Sequence, residues 1–180
     1  MGHNQFSDWT DAEYLAILGY RPPGSTGSND EKTERDIKTF DNTDLPDHVN
    51  WVEAGFNTVK DQGRCGACWA FSAIGAIEGA YFAKHKELLS FSEQQLIDCS
   101  TESSYHGQNE GCKGGNFWNA FDYFQHHYAM LGSDYPYTSG SKGDDFTDCH
   151  YSDSDATNVK VVDWHGYFSS TSQIMTALSK

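Results

Sequence analysis

The sequence predicts a mixed helix-and-strand chain, helical through its middle and turning to strand late. Two stretches, 68–84 and 116–128, place apolar residues at three- and four-residue steps, the spacing of a helix face. One later run, 158–168, is β-branched, with Val159, Val161 and Val162. The length of 180 residues is about 1.2 domains at roughly 150 residues each, enough chain to bury a core.

Each element has its own warrant. Residues 1–20 read as a short helix capped by Asp8 or Thr10, with Tyr14, Leu15 and Leu18 as its apolar stripe. From Arg21 through Pro22, Pro23 and Gly24 to about Asp44, proline, glycine, serine and charge make a linker. Leu45-Pro46 opens a more apolar segment containing Val49, Trp51 and Val52. The first long helix, 68–84, turns Phe71, Ile74, Ile77 and Tyr81 to one side, with alanines that suit close packing. Ser92-Glu93-Gln94-Gln95 reads as a capping box for a short helix towards Cys99. Residues 101–111 are polar and glycine-containing, hence loop. Phe117, Phe121, Phe124 and Tyr128 define the next helix, and 135–149 is irregular. Residues 169–180 read as a last helix with Ile174 and Leu178 inward. A lone strand and a short helix cannot cover their own apolar faces, which is the expectation for a chain cut short and prone to aggregate. No internal repeat is present.

Composition excludes several classes of function. Lys+Arg 12 against Asp+Glu 26 gives a net charge of −14. Such a chain lacks the clustered cations that nucleic acid or an anionic membrane surface requires. Aromatic residues at 14% separate it from a disordered acidic tail. No stretch reaches the roughly 18 apolar residues of a membrane span. The opening MGHNQFSDWTDAEY has neither the basic start nor the apolar run of a signal peptide. Five cysteines are compatible with two disulfides and one free thiol, or with five reduced thiols. His126-His127 lacks the i, i+4 spacing of a helical metal site, and Cys65-x-x-Cys68 has no second CxxC to complete a zinc site. No strand precedes that CxxC as a redox motif in a βαβ unit would require. The carboxylates Asp144, Asp145, Asp153 and Asp155 lack the spacing of a calcium loop.

The chemistry is concentrated in Gln62-Gly63-Arg64-Cys65-Gly66-Ala67-Cys68-Trp69. Cys68 stands where glycine-rich chain becomes helix, and the partial positive charge of a helix start favours thiolate over thiol. Gly66 allows the backbone to approach a substrate closely. Gln62 can aim its amide at the same point as the Cys68 backbone N–H, and two convergent donors beside a nucleophile make an oxyanion hole. Nucleophile, helix end and oxyanion donors together suit thiol acyl transfer.

Cys65-Gly66-Ala67-Cys68-Trp69 resembles the active-site signature of the papain-like cysteine peptidases, cathepsin L-like in type. Gly111-Cys112-Lys113-Gly114-Gly115, Gln94-Gln95-Leu96-Ile97-Asp98-Cys99 and Tyr135-Pro136-Tyr137 resemble further motifs of that family. Gly2-His3-Asn4-Gln5-Phe6-Ser7-Asp8 resembles a motif of its inhibitory propeptide. The resemblance implies an α+β, papain-like two-lobe fold. Residues 1–44 would be propeptide remnant and linker, and 45–180 an incomplete peptidase domain. Its helical lobe, about 55–150, would be nearly complete, and the β-lobe would be represented only by 151–180. It implies Cys68 as nucleophile and Gln62 as oxyanion donor. It pairs Cys65 with Cys112 and Cys99 with Cys149, leaving Cys68 as the free thiol. Gly114 and Gly115 would hydrogen-bond an extended substrate. Asn116 and Phe117 would line the pocket for the residue two before the scissile bond, with an apolar preference.

The same resemblance implies an endopeptidase without cofactor or metal, taking protein or peptide substrates and blocked by its own propeptide. It implies a monomer of endolysosomal or secreted location, with neither nucleic acid nor membrane as partner. The family's catalytic His and Asn lie roughly 130–150 residues beyond the nucleophile. His165, at 165 − 68 = 97 residues from Cys68, matches the opening of the second lobe instead. The expectation is therefore that this chain alone is inactive. The alternative is a non-catalytic fragment that still binds peptides or an inhibitor.

Overall fold

The computed structural model describes residues 2–21, 45–101, 109–142, 148–164 and 171–179. Its elements are α1 (Asp11–Ala16), α2 (Trp51–Gly55), α3 (Cys68–His85), α4 (Glu93–Cys99), a 3-10 turn (Gly111–Lys113), α5 (Phe117–His126), α6 (Ser139–Lys142) and α7 (Thr171–Leu178). β-pairing among the described residues is confined to three isolated bridges, Tyr20 with Gly115, Phe91 with Leu131 and Thr101 with Asn109.

The core forms around α3. Its Trp69, Ala70, Ala73, Ile74 and Ile77 are buried with Leu96 and Ile97 of α4, Ala120, Tyr123 and Phe124 of α5, and Phe91, Ala129 and Met130 from the intervening chain. Ala70 and Ala73 have no exposed surface, so α4 and α5 can approach α3 closely where they pack. Tyr81 and Phe71 sit at the edge of this cluster, only partly buried. The helix stops at Lys86, which adopts a left-handed conformation (φ 58°) and returns its N–H to the Phe82 carbonyl at 2.8 Å.

Capping residues fix the other helix starts. Thr10 and Glu13 form a reciprocal capping box on α1. Ser92 caps α4 by accepting from the Gln95 N–H at 3.0 Å. The box expected there is only half made: the Ser92 N–H goes to the Met130 carbonyl, and the Gln95 side chain turns to Tyr128 and Met130 instead. Long-range backbone partners have taken the places of local ones. Asn116 caps α5 by accepting from the Asn119 N–H at 2.9 Å.

Four sequence expectations need correction. The apolar stripe of α1 is not buried: Tyr14, Leu15 and Leu18 are exposed, and Ile17 is buried in their place. The helix expected over 116–128 ends at His126, short of Tyr128. The expected strand 158–168 is not a strand over its described part, 158–164. There the Val161 N–H donates to the Phe124 carbonyl at 3.1 Å and Val159 accepts from Ala129 at 2.9 Å, so the segment hydrogen-bonds to α5 and the chain after it rather than to a neighbouring strand. Residues 165–168, with His165, lie outside the described residues. In α7, Ile174 and Leu178 are exposed and Thr176 is buried.

Two further features brace the lobe. Disulfides join Cys65 to Cys112 and Cys99 to Cys149, and Cys68 is free. Lys60 bridges two buried carboxylates, Glu78 and Glu93, at 2.6 Å each. Glu78 also accepts from the Phe91 N–H and from Asn57 at 2.9 Å, so each buried charge has partners.

Candidate active site

Cys68 is the first residue of α3 and is half-buried. The residue before it, Ala67, offers no side chain to cap the helix. The Ala67 carbonyl accepts the Ala70 and Phe71 N–H groups at 2.9 and 3.1 Å, and Cys68 stands at the positive end of this 18-residue helix. Among the described residues no histidine is hydrogen-bonded to Cys68.

The loop leading into α3 is held from several sides. Gly63 (φ +60°) makes the turn after Asp61, whose carboxylate accepts the Gly63 N–H at 2.8 Å. The Tyr137 hydroxyl donates to the Gln62 carbonyl at 2.6 Å. Burial pushes the Tyr137 phenol pKa up, keeping it a donor across the neutral range. The Gly66 N–H donates to the Cys112 carbonyl at 3.0 Å, beside the Cys65–Cys112 disulfide. So anchored, Gln62 presents its amide nitrogen to two carbonyls at 2.9 Å, those of Cys65 and Ile17.

Ile17 belongs to the N-terminal segment, 45 residues upstream of Gln62. From there the segment crosses Gly66 and Gly115. Gly115 donates its N–H to the Gly19 carbonyl, and its carbonyl accepts from the Arg21 N–H, both at 2.8 Å. This is parallel pairing with Tyr20 opposite Gly115. Gly19 lies so close to Gly66 that a Cβ there would stand 1.6 Å from the Gly66 carbonyl oxygen. The Tyr20 ring stacks on Phe117 with centroids 6.0 Å apart. Arg21 places its guanidinium on the Lys113 carbonyl at 2.9 and 3.2 Å and on Glu110 at 2.8 Å.

The wall that receives this segment is itself rigid. Asn109 is buried, accepts the Asn116 N–H at 2.9 Å and donates to Ser100 at 3.1 Å. A Cβ on Gly115 would stand 2.4 Å from the Asn109 side chain and 2.8 Å from the Trp69 indole, so only glycine fits between them. Gly114 has φ +126°, a conformation open to glycine, and its carbonyl accepts from the Glu110 N–H at 2.8 Å.

A sequence profile described as papain family cysteine protease matches residues 45–180. The chain belongs to the papain family of cysteine proteases. A probable cysteine protease of Arabidopsis thaliana, RD19C, is 43% identical over 171 residues, 89% of this chain and 44% of the relative. A cathepsin L-like proteinase of Fasciola hepatica is 41% identical over 140 residues, 77% of this chain and 41% of that protein. Among solved structures, digestive procathepsin L 3 of the Tenebrio molitor larval midgut superposes with a TM-score of 0.64 at 33% identity. It matches 89% of this chain and 46% of its own. The lobe around α3 thus has a papain-like fold. The chain spans less than half the length of the curated relatives described.

Residues 17–21 meet Gln62 and Gly115 through hydrogen bonds, Gly66 and Gly114 through close backbone approach, and Phe117 through ring stacking. Asn116 is the exception in kind, since its side chain is spent on capping α5 rather than turned to the groove. Sequence reasoning missed Ile17, Gly19 and Arg21, the last of which it placed in the linker, and it missed Glu110. Their contacts are with residues 45 to 96 positions away, and no local pattern announces them. The one available signal was Gly19-Tyr20-Arg21 standing directly before the Pro22-Pro23 break. No group of three or more His, Cys, Asp or Glu converges as metal ligands among the described residues.

Proposed function

We propose that the chain is the nucleophile-bearing portion of a cathepsin L-like cysteine endopeptidase zymogen. One observation carries the reading: an extended segment lies in the groove with a carbonyl oxygen on the Gln62 amide and its backbone paired to Gly115. A groove that holds an extended backbone beside a helix-start thiol is suited to peptide bonds. In the reaction, the Cys68 thiolate attacks the scissile carbonyl carbon. The Gln62 amide and the Cys68 N–H hold the developing oxyanion, each such donor contributing about 10²–10³ in rate. The amine leaves with a proton and water hydrolyses the thioester.

The bound segment runs the wrong way for cleavage. In the family, the substrate residue two before the scissile bond lies on the pocket of Phe117. Here the residue on Phe117 is Tyr20, three positions after the Ile17 carbonyl. The chain direction is reversed, so residues 17–21 fill the site without presenting a scissile bond in register. This supports residues 1–44 as an inhibitory propeptide and 45–180 as peptidase domain, in a monomeric protein of the lysosomal or secreted class to which cathepsins and digestive proteases belong.

Acyl transfer to water also requires a general base. No histidine is bonded to Cys68 among the described residues, and acylation that outpaces turnover is the behaviour expected of the thiol in that setting. The same observation favours a second reading, a peptide binder without turnover. An activated ester separates them by leaving-group release. Steady release lost in Cys68→Ala is peptidase chemistry outright, and one Cys68-dependent equivalent is the acylated, stalled enzyme. Absence of any Cys68-dependent release in Gly19→Ala, where the blocking segment is lifted, refutes the peptidase reading and leaves the binder.

A further inference from the structure

The loop that carries Gln62 is clamped from outside the groove, by residues 137–140. The Tyr137 hydroxyl donates to the Gln62 main-chain carbonyl at 2.6 Å, and the Arg64 N–H donates to the Gly140 carbonyl at 2.9 Å. Between these bonds the two backbones touch. A Cβ on Gly63 would stand 2.4 Å from the Gly140 carbonyl oxygen, and one on Gly140 would stand 3.0 Å from the Gln62 carbonyl oxygen. The Cβ on Gly140 would also stand 2.6 Å from the edge of the Tyr137 ring, so ring, turn and loop form one close-packed unit.

The clamp is anchored in the core of the lobe. The Tyr137 ring meets Phe71 edge-to-face, with centroids 5.0 Å apart at 88°, and Phe71 lies in the first turn of α3 with Cys68. One side chain thus bonds the loop of the oxyanion donor and packs on the helix of the nucleophile. Thr138 and Ser139 give their N–H groups to Gln94 Oε1 at 2.9 and 3.1 Å, and the buried Gln94 donates to the Ser139 hydroxyl at 2.8 Å. The Gln62 amide rests on the Cys65 and Ile17 carbonyls, and the second of these leaves with the N-terminal segment. What then aims the amide is the Cys65 carbonyl and the placement of the Gln62 backbone.

We infer that Tyr137 is a positioning residue for acyl transfer, its hydroxyl fixing the Gln62 backbone, and through it the oxyanion donor, relative to Cys68. The inference rests on the reading of Gln62 as that donor. A donor adds to the rate only when it stands at hydrogen-bond distance from the oxygen on which charge develops, so a loop free to shift by about 1 Å loses much of the contribution. No proton passes through Tyr137, whose phenol burial keeps protonated across the neutral range.

Two reagents on Cys68 separate aim from reactivity. With the p-nitrophenyl ester of acetylglycine, the thiolate sulfur adds to the carbonyl carbon, the oxyanion collapses, p-nitrophenolate leaves and a thioester results. With iodoacetamide, the sulfur displaces iodide from a saturated carbon and a thioether forms without any oxyanion. In both, the thiol proton passes to buffer. The ratio of ester to iodoacetamide rates therefore reads oxyanion stabilisation, while thiolate fraction divides out. It is measured in the full chain carrying Gly19→Ala, which lifts residues 17–21. Gln62→Ala should lower the ratio about a hundredfold. Tyr137→Phe keeps the ring on Phe71 and should lower it about three- to tenfold. Added to Gln62→Ala it should cost nothing further, because the hydroxyl acts through that side chain. Tyr135→Phe removes a buried hydroxyl bonded to Asp98 and His150 and should leave the ratio unchanged. A ratio unmoved by Tyr137→Phe, where Gln62→Ala lowers it, overturns the positioning role and leaves the oxyanion reading standing. A fall that persists in Gln62→Ala, or that Tyr135→Phe reproduces, overturns it too. A ratio unmoved by Gln62→Ala removes the oxyanion reading and the inference with it.

Discussion

Gly19→Ala tests whether residues 17–21 block the groove by close backbone contact. The added Cβ would sit 1.6 Å from the Gly66 carbonyl oxygen and 2.3 Å from its carbon, both main-chain atoms that cannot swing aside. Ordinary contact begins at 3.4 Å, so the segment must lift by 3.4 − 1.6 = 1.8 Å. That displacement stretches the two 2.8 Å hydrogen bonds to Gly115 past any useful length and withdraws the Ile17 carbonyl from Gln62. Two or three such bonds at about 0.5–1.5 kcal/mol each amount to roughly 1–4 kcal/mol. Closure of the segment should weaken by about fivefold to nearly a thousandfold. The substitution introduces no backbone strain, because Gly19 is not among the glycines with positive φ. The effect is therefore steric alone. Iodoacetamide labelling of Cys68 reads access to the groove, and amide exchange at Gly115 reads the pairing. Both should accelerate in Gly19→Ala and stay unchanged in Gly2→Ala, where nothing lies within 4 Å of the new Cβ. Labelling of Gly19→Ala at the rate of the unaltered chain would refute the blocking role assigned to the segment.

Three other outcomes follow from the packing. Ser92→Ala removes the α4 cap and leaves both the Gln95 N–H and the buried Tyr135 carbonyl unmet, so the urea midpoint should fall by the equivalent of about 1–3 kcal/mol. Lys86→Gly relieves the left-handed strain at the end of α3 and should raise thermal stability by about 0.5–1 kcal/mol. Glu93 carries a pKa raised above 4.5, because burial outweighs the help of Lys60. A carboxyl held more tightly protonated in the fold contributes most below its unfolded pKa and loses that contribution as pH rises through the folded value. Denaturation midpoints should therefore drop from pH 4.5 towards neutrality, and Glu93→Gln should flatten the drop while Lys60 keeps Glu78. A steeper drop in that variant would show that the carboxylate was stabilising at neutral pH.

What the sequence made legible was whatever depends on near neighbours. The periodicity of α3 and α5, the caps Thr10 and Ser92 and the glycine-rich approach to Cys68 all lie within a few residues of the groups they serve. Their physics is local, and the structure differs from the reading mainly at ends, as at His126. The strand expected over 158–168 failed, over its described part 158–164, for the opposite reason. A valine run needs a neighbouring backbone, and here the Val161 N–H found the Phe124 carbonyl of α5. In α7 the apolar pattern was real, but a pattern only says which side prefers burial. Whether anything covers that side is decided by other elements.

The groove shows the same division in sharper form. Cys68 and Gln62 stand six residues apart, and the sequence reading joins them by type and spacing. The segment that meets Gln62 and Gly115 makes its contacts largely through main-chain atoms: the carbonyls of Ile17 and Gly19 and the N–H of Arg21. Main-chain groups carry no residue identity, so no sequence pattern can specify them. Only the exceptions leave a trace. Position 19 must be glycine because Gly66 lies against it, and position 21 presents a side chain whose fork fits Glu110 and Lys113. Those two positions are where the hold of the segment can be tested. Loss of the first should displace it sterically, and loss of the second should remove its bonds to Glu110 and Lys113; iodoacetamide labelling of Cys68 should accelerate in both if the segment limits access to the thiol.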